Sequence, residues 1–161
     1  MDHTVYLALG SNIGNRLANL KAAIDNLRPQ MAVKKKSNVY QTPPWGFEDQ
    51  PAFLNQAVMA ETYMEPVPLL LHLKRLETAL GRTPSFDNGP RLIDIDILFF
   101  DDMILNSAAL KLPHPRLHER AFVLVPLADI APNLVHPELS ESVKGLLRKV
   151  DRSGIKKYEG K

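Results

Sequence analysis

The chain contains no cysteine. This absence excludes a disulfide framework and any metal centre built from thiolate ligands. No apolar run is long enough to cross a bilayer, and the first residues lack the basic-then-apolar order of a signal peptide. We therefore expect a cytoplasmic protein with no membrane partner.

The chain also lacks a large excess of positive or negative charge. Its formal net charge is only +2, although 24% of its residues are charged. So small an excess does not indicate binding to nucleic acid or to an anionic membrane. Three consecutive lysines at positions 34–36 fit the solvated start of a strand. We expect a monomer with no nucleic-acid partner.

The usual nucleotide-binding motifs are missing as well. Neither the phosphate loop Gly-x-x-x-x-Gly-Lys-Ser/Thr nor the dinucleotide motif Gly-x-Gly-x-x-Gly occurs. The histidines show no zinc-ligand spacing, and no Ser/His/Asp arrangement is evident. A nucleotide site in this chain must therefore be built in another way.

What is present fits one domain over residues 1–161, with 45% hydrophobic residues and no repeat or linker. Hydrophobic periodicity predicts strands over residues 4–9, 33–40 and 53–61 and from 94 onward, with helices over 17–27, 66–80, 121–130 and 142–150. Asn15 is the expected N-cap of the first helix, and Gly81 the stop of the second. Asp101 and Asp102 are expected to turn the fourth strand into a hairpin with residues 103–105.

This order of strands and helices is typical of an α+β, ferredoxin-like fold. We expect a mostly antiparallel sheet flanked by helices in three α/β/α layers. Residues 41–51 and 82–91 form two long loops rich in turn residues. Long loops in compact domains are usually functional or disordered, and both of these border residues with chemical features.

Two carboxylates inside an apolar strand are the most informative local feature. Asp94 and Asp96 alternate with Ile93, Ile95 and Ile97. Because strand side chains alternate faces, the two acids project from one face, roughly 7 Å apart along the strand. Burying two negative charges is costly unless a cation lies between them. This favours a divalent metal site over a solvated edge strand, and Arg91 beside it indicates an anionic ligand such as phosphate.

A third acid, Glu77, falls within the apolar stripe of the second helix. A carboxylate on an apolar face needs a partner. A structural ion pair with Arg75 or Arg82 and a position facing Asp94 and Asp96 explain it equally well from periodicity alone.

Phe53 and Asn55 share one face of the third strand, where a ring and an amide could hold a flat heterocycle. Taken alone, Phe53 in the core and Asn55 at a strand end is the better explanation. His114, held extended between two prolines, could meet a polyphosphate together with Arg82, Arg91 and Arg120, or lie on the surface.

Taken together, four sequence segments resemble the 6-hydroxymethyl-7,8-dihydropterin pyrophosphokinase family. They are Gly-Pro-Arg-Leu-Ile-Asp-Ile-Asp-Ile from residue 89, Tyr-Gln-Thr-Pro-Pro from 40, Gln-Pro-Ala-Phe-Leu-Asn from 50 and Pro-His-Pro from 113. The resemblance starts at Ala-Leu-Gly-Ser-Asn from residue 8, continues past Ile-Ala-Pro at 130–132 and covers nearly the whole chain. It implies transfer of pyrophosphate from ATP to the hydroxymethyl group of 6-hydroxymethyl-7,8-dihydropterin, with release of AMP, in folate biosynthesis.

The resemblance also implies the roles of particular residues. Asp94 and Asp96 match the ligands of two Mg²⁺ ions, and they form a catalytic set with Arg82 and Arg91. Nucleotide contacts are implied for Leu70, Lys74, Glu77, Ile97, Lys111, His114 and Arg120. Pterin contacts are implied for Thr42, Pro43, Trp45, Phe53, Asn55 and Phe122, with Phe53 and Phe122 as the two sandwiching rings.

The chain departs from the family pattern at several of these places. Asn88 replaces an aromatic residue common just before Gly-Pro-Arg, and Pro84 replaces a frequent arginine. Lys74 replaces a glutamine found in some members, Pro115 replaces an aromatic residue, and Phe53 replaces a tyrosine. We expect the loop over residues 82–88 still to close over the substrates, with less aromatic packing.

Three other functions remain open. A nucleotidyltransferase would use the same metals but release pyrophosphate and leave AMP on the acceptor. A ferredoxin-like RNA-binding module or small regulator would need a basic sheet face, against which Asp94 and Asp96 argue. An inactive pterin binder is the third alternative.

Overall fold

The computed structural model describes residues 1–44, 48–83, 85–86 and 89–159. Its strands are β1 (His3–Ser11), β2 (Met31–Lys36), β3 (Tyr40–Thr42), β4 (Phe53–Thr62), β5 (Asp94–Phe100), β6 (Leu105–Asn106), β7 (Lys111–Leu112) and β8 (Lys156–Lys157). Its helices are α1 (Arg16–Asp25), α2 (Pro66–Ala79), α3 (Ala121–Ile130) and α4 (Val143–Leu147), with a 3₁₀ turn at Leu117–Glu119.

The main sheet has six strands and is antiparallel throughout. Its order is β5-β1-β4-β3-β8, and β2 pairs with the remaining length of β4. The first and last strands of the β-α-β-β-α-β unit are therefore neighbours, with the middle strands on the far side of β1. This arrangement confirms the expected α+β, ferredoxin-like fold.

Each face of the sheet buries its own hydrophobic cluster. On one face, Leu20 of α1 and Leu69 of α2 pack against Leu7 and Ile95. On the other, Leu124 and Leu127 of α3 pack with residues of α4 against Ala57 and Leu98. Burial on both faces explains why the central strands are apolar almost throughout, and it gives the predicted three α/β/α layers.

Local sequence signals set two helix ends as expected. The Asn15 side chain accepts a hydrogen bond from the Ala18 N–H at 3.1 Å, which caps α1. Gly81 follows α2 with φ of +108°, a conformation that side-chain-bearing residues rarely adopt. Arg82 therefore leaves the helix toward β5 rather than continuing along its axis.

The strand predicted over residues 33–40 is in fact two strands, so that prediction was wrong. Ser37 leaves the ladder because its hydroxyl accepts from the Ala57 N–H at 2.9 Å. The Asn38 N–H and the Tyr40 hydroxyl both donate to the Asp129 carboxylate on α3. These side-chain contacts compete with regular pairing and separate β2 from β3.

The predicted hairpin of β5 with residues 103–105 was also wrong. The Asp101 N–H donates to Thr4 O at 2.8 Å, and the chain then leaves the sheet. Leu105 pairs instead with Leu112, in a small hairpin closed by Ser107 and Leu110. The last helix is shorter than predicted, because after Leu147 the chain continues as a turn.

None of the helices in these described ranges has the length and apolar character needed to span a bilayer.

Candidate active site

A row of registered residues crosses three adjacent strands at one end of the sheet. Gly10 of β1 faces Asp94 of β5 on one side and Asn55 of β4 on the other. Two residues along, Ala8 faces Asp96. Registered residues of neighbouring strands project from the same face, so the acids and the amide flank a floor of two small residues on β1.

Gly10 matters because it has no side chain. A Cβ atom there would lie 2.9 Å from Asn55 Nδ2 and 3.6 Å from Phe53 Cδ1. The missing side chain leaves room for a ligand between the Asn55 amide and the Asp94 carboxylate. With neighbouring strands about 4.8 Å apart, that gap is roughly 10 Å wide.

A cavity of about 400 Å³ opens over this row. It is lined by most of the residues that the sequence pointed to, drawn from β3, β4 and β5, from the loops after β3 and before β5, and from α3 and the segment before it. These residues are Thr42, Pro43, Phe53, Asn55, Arg82, Arg91, Asp94, Asp96, His114, Arg120 and Phe122. Trp45 and Asn88 lie outside the described residues, as does Pro84.

The two carboxylates form the most electronegative part of the cavity. Burial and the charge of Asp94 raise the pKa of Asp96 to about 7, because a second negative charge is hard to keep there without a cation. The negative charge of Asp94 is balanced by Arg82, because Arg82 Nη1 lies 3.0 Å from Asp94 Oδ1. The pair is thus set up to take up positive charge.

Of the two alternatives left open by its position in α2, Glu77 adopts the structural ion pair with Arg82. It is only 2% exposed, and its Oε1 accepts from Arg82 Nη1 at 2.6 Å. Its Oε2 accepts from the Ile95 N–H, also at 2.6 Å, between the two aspartates in sequence. Burial raises the pKa of Glu77, while Lys74, the Ile95 N–H and Arg82 oppose that rise. Glu77 therefore lies behind the cavity wall and holds Arg82 beside Asp94.

His114 is a neutral hydrogen-bond donor rather than a positive charge. Burial, followed by the positive charge of Arg120, lowers its pKa to about 4. Its Nδ1 accepts from the Arg116 N–H at 3.3 Å, so the ring proton resides on Nε2. His114 lines both cavities and can donate to an anion without adding charge.

Two arginines on the cavity wall are held in different ways. Arg91 Nη1 donates to the carbonyls of Phe86, Gly89 and Pro90 within its own loop, at 3.0, 2.8 and 3.3 Å. The guanidinium carbon of Arg120 lies 5.6 Å from the centre of the Phe122 ring.

Thr42 and Asn55 form a polar pair in the half of the cavity nearest β3. The Thr42 hydroxyl donates to Asn55 Oδ1 at 2.6 Å, and Thr42 itself is 1% exposed. This bond fixes the plane of the Asn55 amide. Phe53 and Phe122 line the same half, so a flat ligand would meet aromatic faces and one oriented amide.

A second cavity of about 270 Å³ adjoins the first and shares Asp96 and His114 with it. Leu70 and Ile97 supply apolar walls, and Lys74 and Lys111 supply positive charge. An apolar pocket edged with lysines beside the carboxylates can accommodate a base or sugar whose phosphates extend into the first cavity.

Within residues 1–44, 48–83, 85–86 and 89–159, no group of three or more His, Asp or Glu side chains could hold a metal ion by itself. Mg²⁺, however, often uses only one or two protein carboxylates and completes its shell with phosphate and water oxygens. Asp94 and Asp96 supply such a pair, and burial together with the charge of Asp94 raises the pKa of Asp96, so a cation there would stabilise its ionised form. The residues present therefore fit Mg²⁺.

Sequence reasoning gave no role to two residues that contribute to this region. Arg116 lines the larger cavity and forms an ion pair with Glu119 at 3.2 Å. Asn12, 2% exposed, accepts from the Arg91 N–H at 2.8 Å and donates to Pro51 O at 3.0 Å. Asn12 thus joins the two long loops, a contact that no local pattern predicts. For Arg116 the available signal was its position two residues after His114.

Comparison with known proteins indicates the family of this chain. The family model described as 7,8-dihydro-6-hydroxymethylpterin-pyrophosphokinase (HPPK) matches residues 6–132. A Methylorubrum extorquens protein named 2-amino-4-hydroxy-6-hydroxymethyldihydropteridine pyrophosphokinase is 47% identical over 156 residues, covering 96% of this chain and 98% of its own. The Aquifex aeolicus protein of the same name is 44% identical over 141 residues, or 88% of each chain.

Longer proteins contain a similar segment. The folic acid synthesis protein fol1 of Pneumocystis carinii is 42% identical over 96% of this chain, which spans only 21% of that protein's length. A crystal structure of Plasmodium falciparum HPPK-DHPS superposes with a TM-score of 0.77 over 91% of this chain and 43% of its own, at 17% identity. That likeness supports the fold. Because the family model matches residues 6–132 and the M. extorquens and A. aeolicus proteins align over most of their own length, the chain belongs to the 7,8-dihydro-6-hydroxymethylpterin-pyrophosphokinase family.

Proposed function

We propose that this protein transfers a pyrophosphoryl group from ATP to the hydroxymethyl group of 6-hydroxymethyl-7,8-dihydropterin. The observation that carries the proposal is the registered row in which Asn55 and Asp94 flank Gly10. A heterocycle held at Asn55 would have its side chain directed along the cavity toward the carboxylates. The products are the pterin diphosphate and AMP.

The pterin would lie between Phe53 and Phe122, with its hydrogen-bonding edge against Asn55. Because Asn55 Oδ1 already accepts from Thr42, the Nδ2 hydrogens are directed to the ligand. A pterin edge alternates donors and acceptors, so a fixed amide can distinguish it from other flat rings. Backbone groups near Thr42 and Pro43, which line the same cavity, would complete that edge.

Asp94 and Asp96 would hold two Mg²⁺ ions, with the remaining ligands coming from the ATP phosphates and water. When bound, the metal neutralises phosphate charge and stabilises the attacking and leaving oxygens. The protein's own residues perform the positioning. Glu77 keeps Arg82 beside Asp94, and His114 Nε2 donates to an oxygen of the bridging phosphate chain.

The arginines on the cavity wall would balance the remaining negative charge. Arg82, Arg91, Arg116 and Arg120 all line the first cavity. In the reaction the pterin hydroxymethyl oxygen forms a bond to the β-phosphorus, and the bond from that phosphorus to the α,β-bridging oxygen breaks. AMP leaves with that oxygen, and the hydroxyl proton passes to water. Such transfers depend on orientation and charge stabilisation more than on covalent catalysis.

The adenosine part would occupy the second cavity. Leu70 and Ile97 contact the base or sugar there, with Lys74 and Lys111 at its edge. Both cavities are lined by one chain, so we further propose that a monomer is active. The proposal includes a single domain over residues 1–161 and a cytoplasmic location.

The direct test is to incubate the protein with ATP, Mg²⁺ and the hydroxymethyl-dihydropterin and to follow the phosphorus-containing products by ³¹P NMR. We expect AMP and a pterin diphosphate in equal amounts. Free pyrophosphate with AMP attached to the pterin would instead indicate a nucleotidyltransferase. Binding of both ligands without any product would indicate an inactive pterin binder, and no binding of either would contradict the proposal altogether.

A further inference from the structure

We propose that the C-terminal segment Gly154 to Tyr158 positions the pterin half of the cavity, and that the pterin affinity of this protein depends on it. The inference rests on the proposed function, because it concerns the pterin pocket. The segment lies beyond residues 6–132, the range matched by the family model. In the fold it is the outermost strand, next to β3.

The strand that carries Thr42 is short and depends on its neighbours. β3 has three residues and pairs with only the first three residues of β4, which include Phe53 and Asn55. Its other edge is covered by β8, where Tyr40 faces Lys157 and Gln41 faces Lys156. The Tyr158 N–H adds a bond to Val39 O at 2.8 Å. Without β8, these three residues would be a free edge followed directly by Pro43 and Pro44.

A side-chain contact joins the same segment to the start of β4. The Arg16 guanidinium carbon lies 5.7 Å from the centre of the Tyr158 ring, which itself packs against the α1/α2 core. Arg16 Nη1 donates to Gln41 Oε1 at 3.2 Å and to Ala52 O at 3.0 Å. Tyr158 therefore supports an arginine that fixes both strands at the place where they enter the pterin pocket.

The turn before β8 lies against a residue of the pocket wall. Gly154 has φ of +80°, and a Cβ atom there would lie 3.1 Å from Pro43 Cγ. Pro43 is on the cavity wall, next to Thr42. A substitution at Gly154 would push on Pro43 and shift the backbone that is expected to complete the pterin edge. Small displacements of positioning groups can cost orders of magnitude in rate.

The test compares pterin and nucleotide affinity in four full-length variants. Tyr158→Ala removes the ring, whereas Tyr158→Phe retains the ring and its packing. Gly154→Ala introduces both backbone strain and the contact with Pro43. Gly14→Ala is its matched control, because Gly14 also has positive φ, +71°, but its nearest neighbour, Asn19 Nδ2, is 4.0 Å from the added Cβ.

Calorimetry at a temperature where every variant is folded gives the dissociation constants. Pterin is titrated in the presence of Mg²⁺ and a non-hydrolysable ATP analogue, and the analogue is also titrated alone. We expect Tyr158→Ala and Gly154→Ala to weaken pterin binding about tenfold, equivalent to about 1.4 kcal/mol. Their nucleotide affinity, and both affinities of Tyr158→Phe and Gly14→Ala, should stay within about twofold of the unmodified protein.

Equal weakening of both ligands would show that the segment acts on stability alone and would overturn the inference. Unchanged pterin affinity in Gly154→Ala and Tyr158→Ala would overturn it as well. If the unmodified protein does not bind pterin, the proposed function fails together with this inference. If the unmodified protein binds pterin but the variants show no selective loss of pterin affinity, only this inference fails and the proposed function stands.

Discussion

At the scale of single residues, the cavity combines a missing side chain with an unfavourable pair of charges. Gly10 leaves the gap between Asn55 and Asp94, and Asp96 lies one pleat farther along the strand with its pKa raised to about 7. Two ionised carboxylates in a desolvated site repel each other. Binding a cation or a proton removes this unfavourable electrostatic free energy. The two neighbouring carboxylates that suit the site to bind a cation therefore lower the stability of the fold around them.

Asp96→Ala is expected to lower kcat by about 1,000-fold or more, since it removes a proposed metal ligand and a charge at the reacting phosphates. The free energy of unfolding should stay the same or rise, because the repulsion with Asp94 is lost. Steady-state kinetics and urea unfolding measure the two effects. Asp102→Ala, at an exposed turn outside the cavities, is the matched control and should change neither. Near-normal turnover in Asp96→Ala would contradict the metal role.

Asn55→Ala is expected to weaken pterin binding by about 1–3 kcal/mol, because the edge of the heterocycle is then buried without a partner. ATP binding should change little, since Asn55 lines only the first cavity. Titration calorimetry with each ligand separates the two. A loss of ATP affinity equal to that of pterin would indicate that Asn55 only supports the strand.

At the scale of elements, contacts between distant segments overrode local pattern in two places. Residues 33–40 read as one strand, yet Ser37 and Asn38 bind β4 and α3 and divide it. In α2, by contrast, the local pattern was sufficient. The apolar stripe predicted that Glu77 lies on the buried side of the helix, and the structure confirms it. Periodicity predicts which side of a helix is buried, but it does not predict the partners found there.

Glu77 links α2 to β5 and to Arg82, so two substitutions should separate its roles. Glu77→Leu leaves the Ile95 N–H without an acceptor, and we expect a loss of about 1–3 kcal/mol in the free energy of unfolding. Glu77→Gln retains an acceptor for that N–H, so its stability should stay within about 1 kcal/mol of the unmodified protein. Both should lower kcat, because Arg82 loses a charged partner 2.6 Å away.

Urea unfolding and steady-state kinetics on the two variants provide the measurements. Equal destabilisation by Gln and Leu would show that the charge, and not the hydrogen bond to β5, stabilises this junction. Unchanged kcat in both would mean that Arg82 needs no support from α2.

At the scale of the whole molecule, the sheet separates two cores, and the site lies on the face that carries α3 and α4, beside the start of α3. Ala57 and Leu98 pack beneath these helices, whereas Gly10, Asn55 and Asp96 line the open cavity on the same three strands. A covered half holds the strands rigidly while the open half binds ligand. Rigid elements place functional groups more accurately than loops do.

Stability of the whole fold should depend on pH through buried histidines. His136 is 4% exposed, and its Nδ1 accepts from the Glu138 and Leu139 N–H groups at 3.2 and 3.0 Å. Burial lowers the pKa of His136 below 6.5. Below pH 6.5 the unfolded chain therefore binds a proton at this position that the folded chain does not, and the contribution of His136 to the free energy of unfolding falls as pH decreases.

His136→Asn offers an acceptor for the same N–H groups but does not titrate in this range. Between about pH 7 and 5 we expect the free energy of unfolding of the variant to increase relative to that of the unmodified protein, by at most about 1.4 kcal/mol per pH unit. Urea unfolding at several pH values measures this difference. Parallel pH curves for the two proteins would contradict the assignment.

Much of the site followed from short-range patterns, because alternation along a strand and periodicity along a helix are local properties of the backbone. They placed Asp94 with Asp96, Phe53 with Asn55, and Glu77 on a buried face. The register of β1 between β4 and β5 was decided only in the folded molecule, and with it the gap at Gly10 between the amide and the acids. Strand register, the Asn12 contact between loops and the covering of β3 by β8 join residues far apart in sequence. Their free energies depend on burial in two cores and on hydrogen bonds between elements, which no local segment contains.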